Sequence, residues 1–230
     1  MSQLNSETHL PHGNSTSIFS NQIDIHPDLS SIITKHMAHP DQRPISDEQK
    51  KQFEFAWNWQ QNHPLNSFIL DTGCGTGQSS QQLAKLFPDS CIIGIDQSMQ
   101  RLGNTVEKCS EQANLLLIQA RMEEFWLQCL EAKWAPTKQY FLYPNPWPKK
   151  KHFQRRWHGH SIFPILLQVC SNLELRTNWE IYAKEFSVAL DLAGHLAKLE
   201  QIFPHDPLTP FEHKYQLSGH HLYQVTTTSR

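Results

Sequence analysis

The sequence predicts an α/β fold, a mostly parallel sheet flanked by helices, and three observations predict it. Short apolar runs alternate with amphipathic stretches from about residue 67 onward. The intervening stretches are long enough for the right-handed crossovers that parallel strands require. Three of the chain's nine glycines fall within residues 73–77, directly after the first run and before a helical pattern.

The elements follow in order. Residues 1–44 are rich in Ser, Asn, His and Pro without a sustained period, which reads as a flexible tail or a late-docking arm. Residues 45–230 then form a single domain. Ser46 followed by Gln49 is a capping box, and Phe53, Trp57 and Trp59 give the helix to about Asn62 an apolar face. Strands are expected at Phe68–Leu70, Cys91–Ile95, Leu115–Ile118 and Tyr140–Tyr143, with helices at Gln78–Phe87, Ser98–Cys109 and Met122–Leu130. A weaker strand at Leu173–Arg176 precedes a long helix from about Trp179 to Glu200, and the stretch from about His213 to Thr227 reads as extended.

Composition narrows the function classes. With 38% hydrophobic residues the chain can bury a core. It contains no run near the ~18 apolar residues needed to span a bilayer, so the expectation is a cytoplasmic protein with no membrane partner. The five cysteines are odd in number and form no C-x-x-C pair, which argues for reduced, mostly buried thiols over a disulfide framework or zinc knuckle. The 14 histidines, His158, His160 and the His220-His221 pair among them, have no partners at ligand spacing; no metal is expected. A net charge of -2 does not itself indicate a polyanion partner. Its distribution does, since five of the 20 Lys and Arg residues lie between Lys149 and Arg156.

The glycine loop runs Asp71-Thr72-Gly73-Cys74-Gly75-Thr76-Gly77. Such a turn lets backbone approach a ligand and opens a helix N-terminus toward it, although it could also simply join strand to helix. The Gly-x-Gly-x-Gly spacing differs from the Gly-x-Gly-x-x-Gly of dinucleotide sites, which favours a cofactor without a pyrophosphate. S-adenosylmethionine fits. Asp71 can accept from the amino group of a methionine moiety, and Asp96, closing the second strand in Gly94-Ile95-Asp96, can chelate ribose hydroxyls. Each Asp alone could equally be a turn residue or a helix cap. Cys74 has no activating neighbour in sequence and reads as a small loop filler.

The fourth strand leads into Tyr143-Pro144-Asn145-Pro146-Trp147-Pro148. Three prolines stiffen this loop, so that Asn145 can be held near a sulfonium and Trp147 can offer a face to a base or plug the core. Lys149, Lys150, Lys151, His152, Phe153, Gln154, Arg155, Arg156 and Trp157 follow, cations mixed with aromatics. That mixture suits phosphate neutralisation and base stacking, against the alternative of a solvated charge run.

With these landmarks the sequence resembles the bacterial tRNA (guanine-N7)-methyltransferase family. The similar features are the acidic-led glycine loop, Gly94-Ile95-Asp96, the Pro144–Lys150 loop with Arg155-Arg156, Thr177-Asn178-Trp179-Glu180-x-Tyr182 and Thr209-Pro210-Phe211-Glu212. They occur in the family's order from about residue 67 to 225. The resemblance implies a Rossmann-like class I methyltransferase with a seven-stranded sheet. It implies S-adenosylmethionine at Asp71, Gly73, Gly75, Gly77, Asp96, Ala120 and Asn145, with Asn145 the catalytic position. It further implies tRNA held by Lys149, Lys150, Arg155, Arg156, Asn178, Thr209 and Glu212.

The family typically has Asp at the positions of Asn145 and Asn178, Asp near Ala120, and Lys at Pro210. Guanine N7 carries a lone pair and no proton, so its methylation needs alignment more than a general base. An Asn-Pro carbonyl pair could instead serve an amino nitrogen acceptor. The loss of three carboxylates also admits a member that binds cofactor or RNA without catalysis. The sequence does not distinguish a monomer from a homodimer.

Overall fold

A computed structural model describes residues 14–16, 20–103 and 112–227. Helix α1 (Leu29–Ala38) and helix α2 (Asp47–Gln61) precede the sheet. Strands and helices then alternate: β1 (Phe68–Thr72), α3 (Gln78–Leu86), β2 (Cys91–Asp96), α4 (Met99–Leu102), β3 (Leu115–Gln119), α5 (Met122–Glu131) and β4 (Lys138–Leu142). Two 3-10 turns at Lys150–Arg155 and Trp157–Gly159 lead to α6 (Phe163–Val169), β5 (Leu173–Thr177), α7 (Glu180–Leu192), β6 (Ala197–Ile202), α8 (Pro210–Leu217) and β7 (Leu222–Thr227). The seven strands lie in the order β3-β2-β1-β4-β5-β7-β6, with β7 antiparallel to both neighbours. No helix among the described residues is long and apolar enough to cross a membrane.

The strands of the parallel half are buried on both faces, with every residue of β1 and β2 buried. This explains their continuous apolar runs. Gly94 lies at the centre of β2 beside Asp71. A Cβ there would collide with Ser80 Oγ and with Leu117, so Gly94→Ala is expected to destabilise the protein by ~1–3 kcal/mol, measured as a lower denaturant midpoint.

Helix α2 begins at the predicted cap, Ser46 Oγ accepting from the Gln49 amide at 3.4 Å, but the box is not closed: the Ser46 amide donates to Glu124 at 2.8 Å, while Gln49 Oε1 accepts from the Arg121 amide. It is fastened to the sheet by rings: Phe53 lies 5.3 Å from Phe125 and 5.4 Å from Trp134, and Trp134 stacks on Phe68 at 4.3 Å. Such pairs add to the burial of large apolar surfaces.

Three expectations are corrected. Residues 29–38, inside the stretch read as a flexible tail or a late-docking arm, form a helix that buries Leu29 and Ile33, and Gln22 and His26 upstream of it are also buried, so this part is docked and not a loose tail. The long helix ends at Leu192 instead of Glu200. Gly194 takes φ 85° beyond it, a left-handed stop, and residues 197–202 instead pair with β7. The stretch read as extended from His213 begins in helix α8, with Thr209 as its cap and Pro210 in its first turn. The second half of the helix expected over Ser98–Cys109, with Cys109, lies outside the described residues. The four described cysteines, Cys74, Cys91, Cys129 and Cys170, are free and buried.

Candidate active site

Register brings the candidate residues to one edge. Thr72 pairs with Ile95, Asp96 with Gln119, and Leu142 with Arg176. The glycine loop, Asp96, Ala120, Tyr143 and Asn178 therefore all stand where parallel strands end at their carboxyl side, the edge at which open α/β sheets bind ligands.

The glycine loop is pinned from below. Gly73 and Cys74 both donate to the Ile95 carbonyl, at 2.8 and 3.0 Å. Gly73, Gly75 and Gly77 have φ of 72°, 60° and 78°, values that side chains with a Cβ rarely adopt. Among the described residues nothing stands within 4 Å of where a Cβ would project at Gly73 or Gly75, whereas at Gly77 it would strike Leu117. The first two glycines thus form an open cradle, and the third permits close packing of α3 on the sheet.

Asp71 is 1% exposed. Its Oδ2 accepts from the hydroxyls of Ser79 and Ser80 at 2.5 and 2.7 Å. Its Oδ1 has no partner among the described residues. Burial pushes the carboxyl above the usual range, and the two serine hydroxyls only partly offset that. A lone carboxylate oxygen beside an open glycine cradle fits a ligand bearing an ammonium group. Asp96 is differently placed, its Oδ2 accepting from the Gly75 amide at 2.9 Å and its Oδ1 from Ser98 N at 2.8 Å and Arg101 at 2.9 Å. It shapes the cradle, and half-exposed Arg101 is the partner that a pair of ribose hydroxyls could replace. Burial holds the Cys74 thiol well above its usual range, so it stays protonated and fills space, as its lack of an activating neighbour suggested. Ala120 is buried, its amide on the Asp96 carbonyl at 3.1 Å.

Across the edge, Asn145 is exposed. Its Oδ1 accepts from Trp147 N at 3.3 Å, which tethers the side chain inside the proline loop. Lys149, Lys150, Lys151 and Arg155 are exposed, and the Arg155 guanidinium lies 4.7 Å over the Trp147 ring. A cleft of about 380 Å³ opens between Gln78 and Gln82 of α3 and the Pro207–Pro210 turn with His213. Asn178 donates to His220 Nδ1 at 3.1 Å.

Three residues expected to grip tRNA do other work. Arg156 is fully buried and paired with Glu185, so no phosphate reaches it; a buried guanidinium requires a carboxylate, and α7 supplies one. Glu212 is also fully buried, accepting from Tyr143 Oη at 2.9 Å, Arg176 Nη1 at 3.2 Å and Leu208 N at 2.6 Å. Thr209 caps α8, accepting from Glu212 N at 2.9 Å. The Thr-x-x-Glu spacing is a capping-box signal, visible in the sequence and there read as a substrate contact. Ser79, Ser80 and Tyr143 were not singled out for these contacts, because polar residues next to a loop carry no pattern of their own.

A seven-stranded sheet with one antiparallel strand, a glycine cradle after β1 and an acidic end to β2 defines a class I S-adenosylmethionine-dependent methyltransferase. The fold matches solved methyltransferases: the 16S rRNA methyltransferase KamB, with a TM-score of 0.55 and 16% identity over 82% of this chain and 96% of that one; and a 16S rRNA (adenine(1408)-N(1))-methyltransferase variant from Catenulisporales acidiphilia, solved with its cosubstrate, with 0.54 and 14% over 77% and 92%. Residues 65–225 match the family model described as "Putative methyltransferase", and the chain belongs to that family. Similar proteins named tRNA (guanine-N(7)-)-methyltransferase include one from Colwellia psychrerythraea, 28% identical over 70% of each chain. Another, from Geobacillus kaustophilus, is 25% identical over 83% of this chain and 90% of its own, and a third, from Alcanivorax borkumensis, is 29% identical over 70% and 72%.

Proposed function

We propose that the chain methylates N7 of a guanine in cytoplasmic tRNA, using S-adenosylmethionine. The observation that carries this reading is the placement of two loops at one sheet edge, the open glycine cradle beside Asp71 Oδ1, which has no partner among the described residues, and the cationic proline loop presenting Asn145. The names of the relatives support the same acceptor.

When bound, the cofactor supplies an electrophilic methyl group on a sulfonium. Asp71 Oδ1 would take its ammonium group, and the Gly73 and Gly75 backbone would border it. Asn145, tethered through Trp147, orients the acceptor, because an in-line displacement is sensitive to small misplacements. N7 has no proton to lose, so a neutral amide suffices where a general base would otherwise be needed. Lys149, Lys150 and Arg155 would neutralise phosphates. Asn178, tied to His220 on the same edge, would line the acceptor side.

The Lys149→Ala/Lys150→Ala double variant is expected to bind tRNA more weakly and to flatten the dependence of log affinity on log salt by about 0.7–0.9 for each phosphate no longer neutralised. Filter binding at several ionic strengths measures this. An unchanged slope would remove the two lysines from the interface.

The activity is tested by transfer of labelled methyl to total tRNA lacking its own N7 modification, with nucleoside identification and an Asp71→Ala control. Label in 7-methylguanosine, absent from the control, supports the reading. Label on an exocyclic amine redirects the acceptor, and donor binding without incorporation makes the protein a binding module.

A further inference from the structure

We propose that Arg156 is a positioning residue that holds the Pro144–Pro148 loop in its working shape, and that residues 20–26 complete its socket. The inference rests on the reading of that loop as the reacting edge.

Arg156 is the one cation of the Lys149–Arg156 run that is fully buried. Its Nη1 donates to Glu185 Oε2. Its Nη2 donates to Gln22 Oε1 at 3.0 Å and to the Trp147 carbonyl at 3.0 Å. Trp147 is a non-glycine residue at φ 47°. Such a backbone is strained and persists only where its surroundings over-determine it. Both backbone polar groups of Trp147 are so determined, its N–H by Asn145 Oδ1 and its carbonyl by Arg156. A direct path therefore runs from a buried guanidinium through one strained residue to the side chain placed at the acceptor.

The socket explains why the guanidinium keeps this direction. Glu185 also accepts from His158 Nε2 at 3.0 Å, Gln22 Nε2 at 2.6 Å and His26 N at 2.8 Å. The His26 ring stacks on Phe153 at 4.4 Å, and Ser20 Oγ donates to the Pro148 carbonyl at 3.3 Å. The segment before α1 thus touches the loop directly and fixes the carboxylate that aims Arg156. A planar fork can reach Glu185, Gln22 and Trp147 together; an ammonium group on a flexible stem cannot reproduce that spread.

The discriminating variant is Arg156→Lys, which keeps the buried charge opposite Glu185 and removes the fork. The readouts are amide exchange of the 144–150 segment, donor affinity, and kcat and KM for tRNA. The expected result is exchange at Trp147 at least about tenfold faster, with donor affinity within about twofold and kcat about tenfold lower at little changed KM. Wild-type exchange and wild-type kcat together would overturn the proposal and leave Arg156 a mere counter-charge. If the lysine variant does not fold, Arg156→Met/Glu185→Gln removes both charges together, which avoids an unpaired buried ion. Fast exchange at Trp147 in that variant supports the proposal, and native protection overturns it. Exchange requires no turnover, so a wild-type protein that methylates no tRNA would sink the proposed activity while the loop measurement still decides the role of Arg156.

Discussion

Replacing Asp71 with Asn is expected to yield a protein that melts no lower than wild type and binds S-adenosylmethionine about 10- to 100-fold more weakly, the equivalent of losing one charge-assisted hydrogen bond of ~1.5–3 kcal/mol. The two effects separate because the carboxylate is costly to the fold. Burial raises the Asp71 carboxyl, so its ionised form is disfavoured in the folded protein, and an amide removes that cost. The amide oxygen can still accept from Ser79 and Ser80, which hold Oδ2 in the wild type. Its nitrogen, however, would stand where Oδ1 has no partner among the described residues, presenting a donor to the ammonium group proposed to bind there. Calorimetric titration and a melting curve on the same sample test this. Unchanged donor affinity would remove Asp71 from the cofactor site.

Truncating Glu185 to Ala is expected to cost ~3–5 kcal/mol of stability, because it leaves Arg156 buried with an uncompensated charge. Gln22, His26 and His158 lose their shared acceptor in the same step. The wild-type pair also sets an acid limit. Burial alone would raise the Glu185 carboxyl, but the His158 hydrogen bond and the Arg156 charge prevail and bring it down to about 2. A carboxyl depressed on folding stabilises the fold above its unfolded value near 4.5 and loses that contribution as pH falls through its folded value. Between pH ~4.5 and 2 the wild type should therefore lose on the order of 3 kcal/mol through this group. Glu185→Gln, already weaker at neutral pH, should show a shallower acid limb. Denaturant titrations at pH 7, 5 and 3 compare the two, and parallel pH profiles would exclude Glu185 as the source.

The chemistry that was legible in the sequence is the chemistry carried by short, contiguous stretches. Four of the five parallel strands were readable because burial on both faces leaves a short apolar run in each, whereas the fifth, Leu173–Thr177, carries Glu174 and Arg176 and reads more weakly. The glycine loop was readable because three positive-φ positions within five residues demand glycine, and the start of α2 because its cap and first turn are neighbours in the chain. The proline loop and its exposed lysines likewise announced a cationic edge.

Less legible were residues whose meaning depends on a distant partner. Within one cationic run, Lys149 and Arg156 look equivalent; Glu185 on α7 and Gln22 before the sheet draw only Arg156 inside. Thr209 and Glu212 resembled ligand contacts until Arg176 and Tyr143 claimed the carboxylate. Residues 197–200 continue a helical pattern, yet the open edge of β7 turns them into a strand. The sequence by itself determined the parallel α/β core and the glycine loop, since backbone conformation and local burial period are properties of neighbouring residues. Only the tertiary structure decided which of these charges stay exposed and which is buried, because the cost of burying a charge is settled by whether a partner far along the chain arrives to meet it.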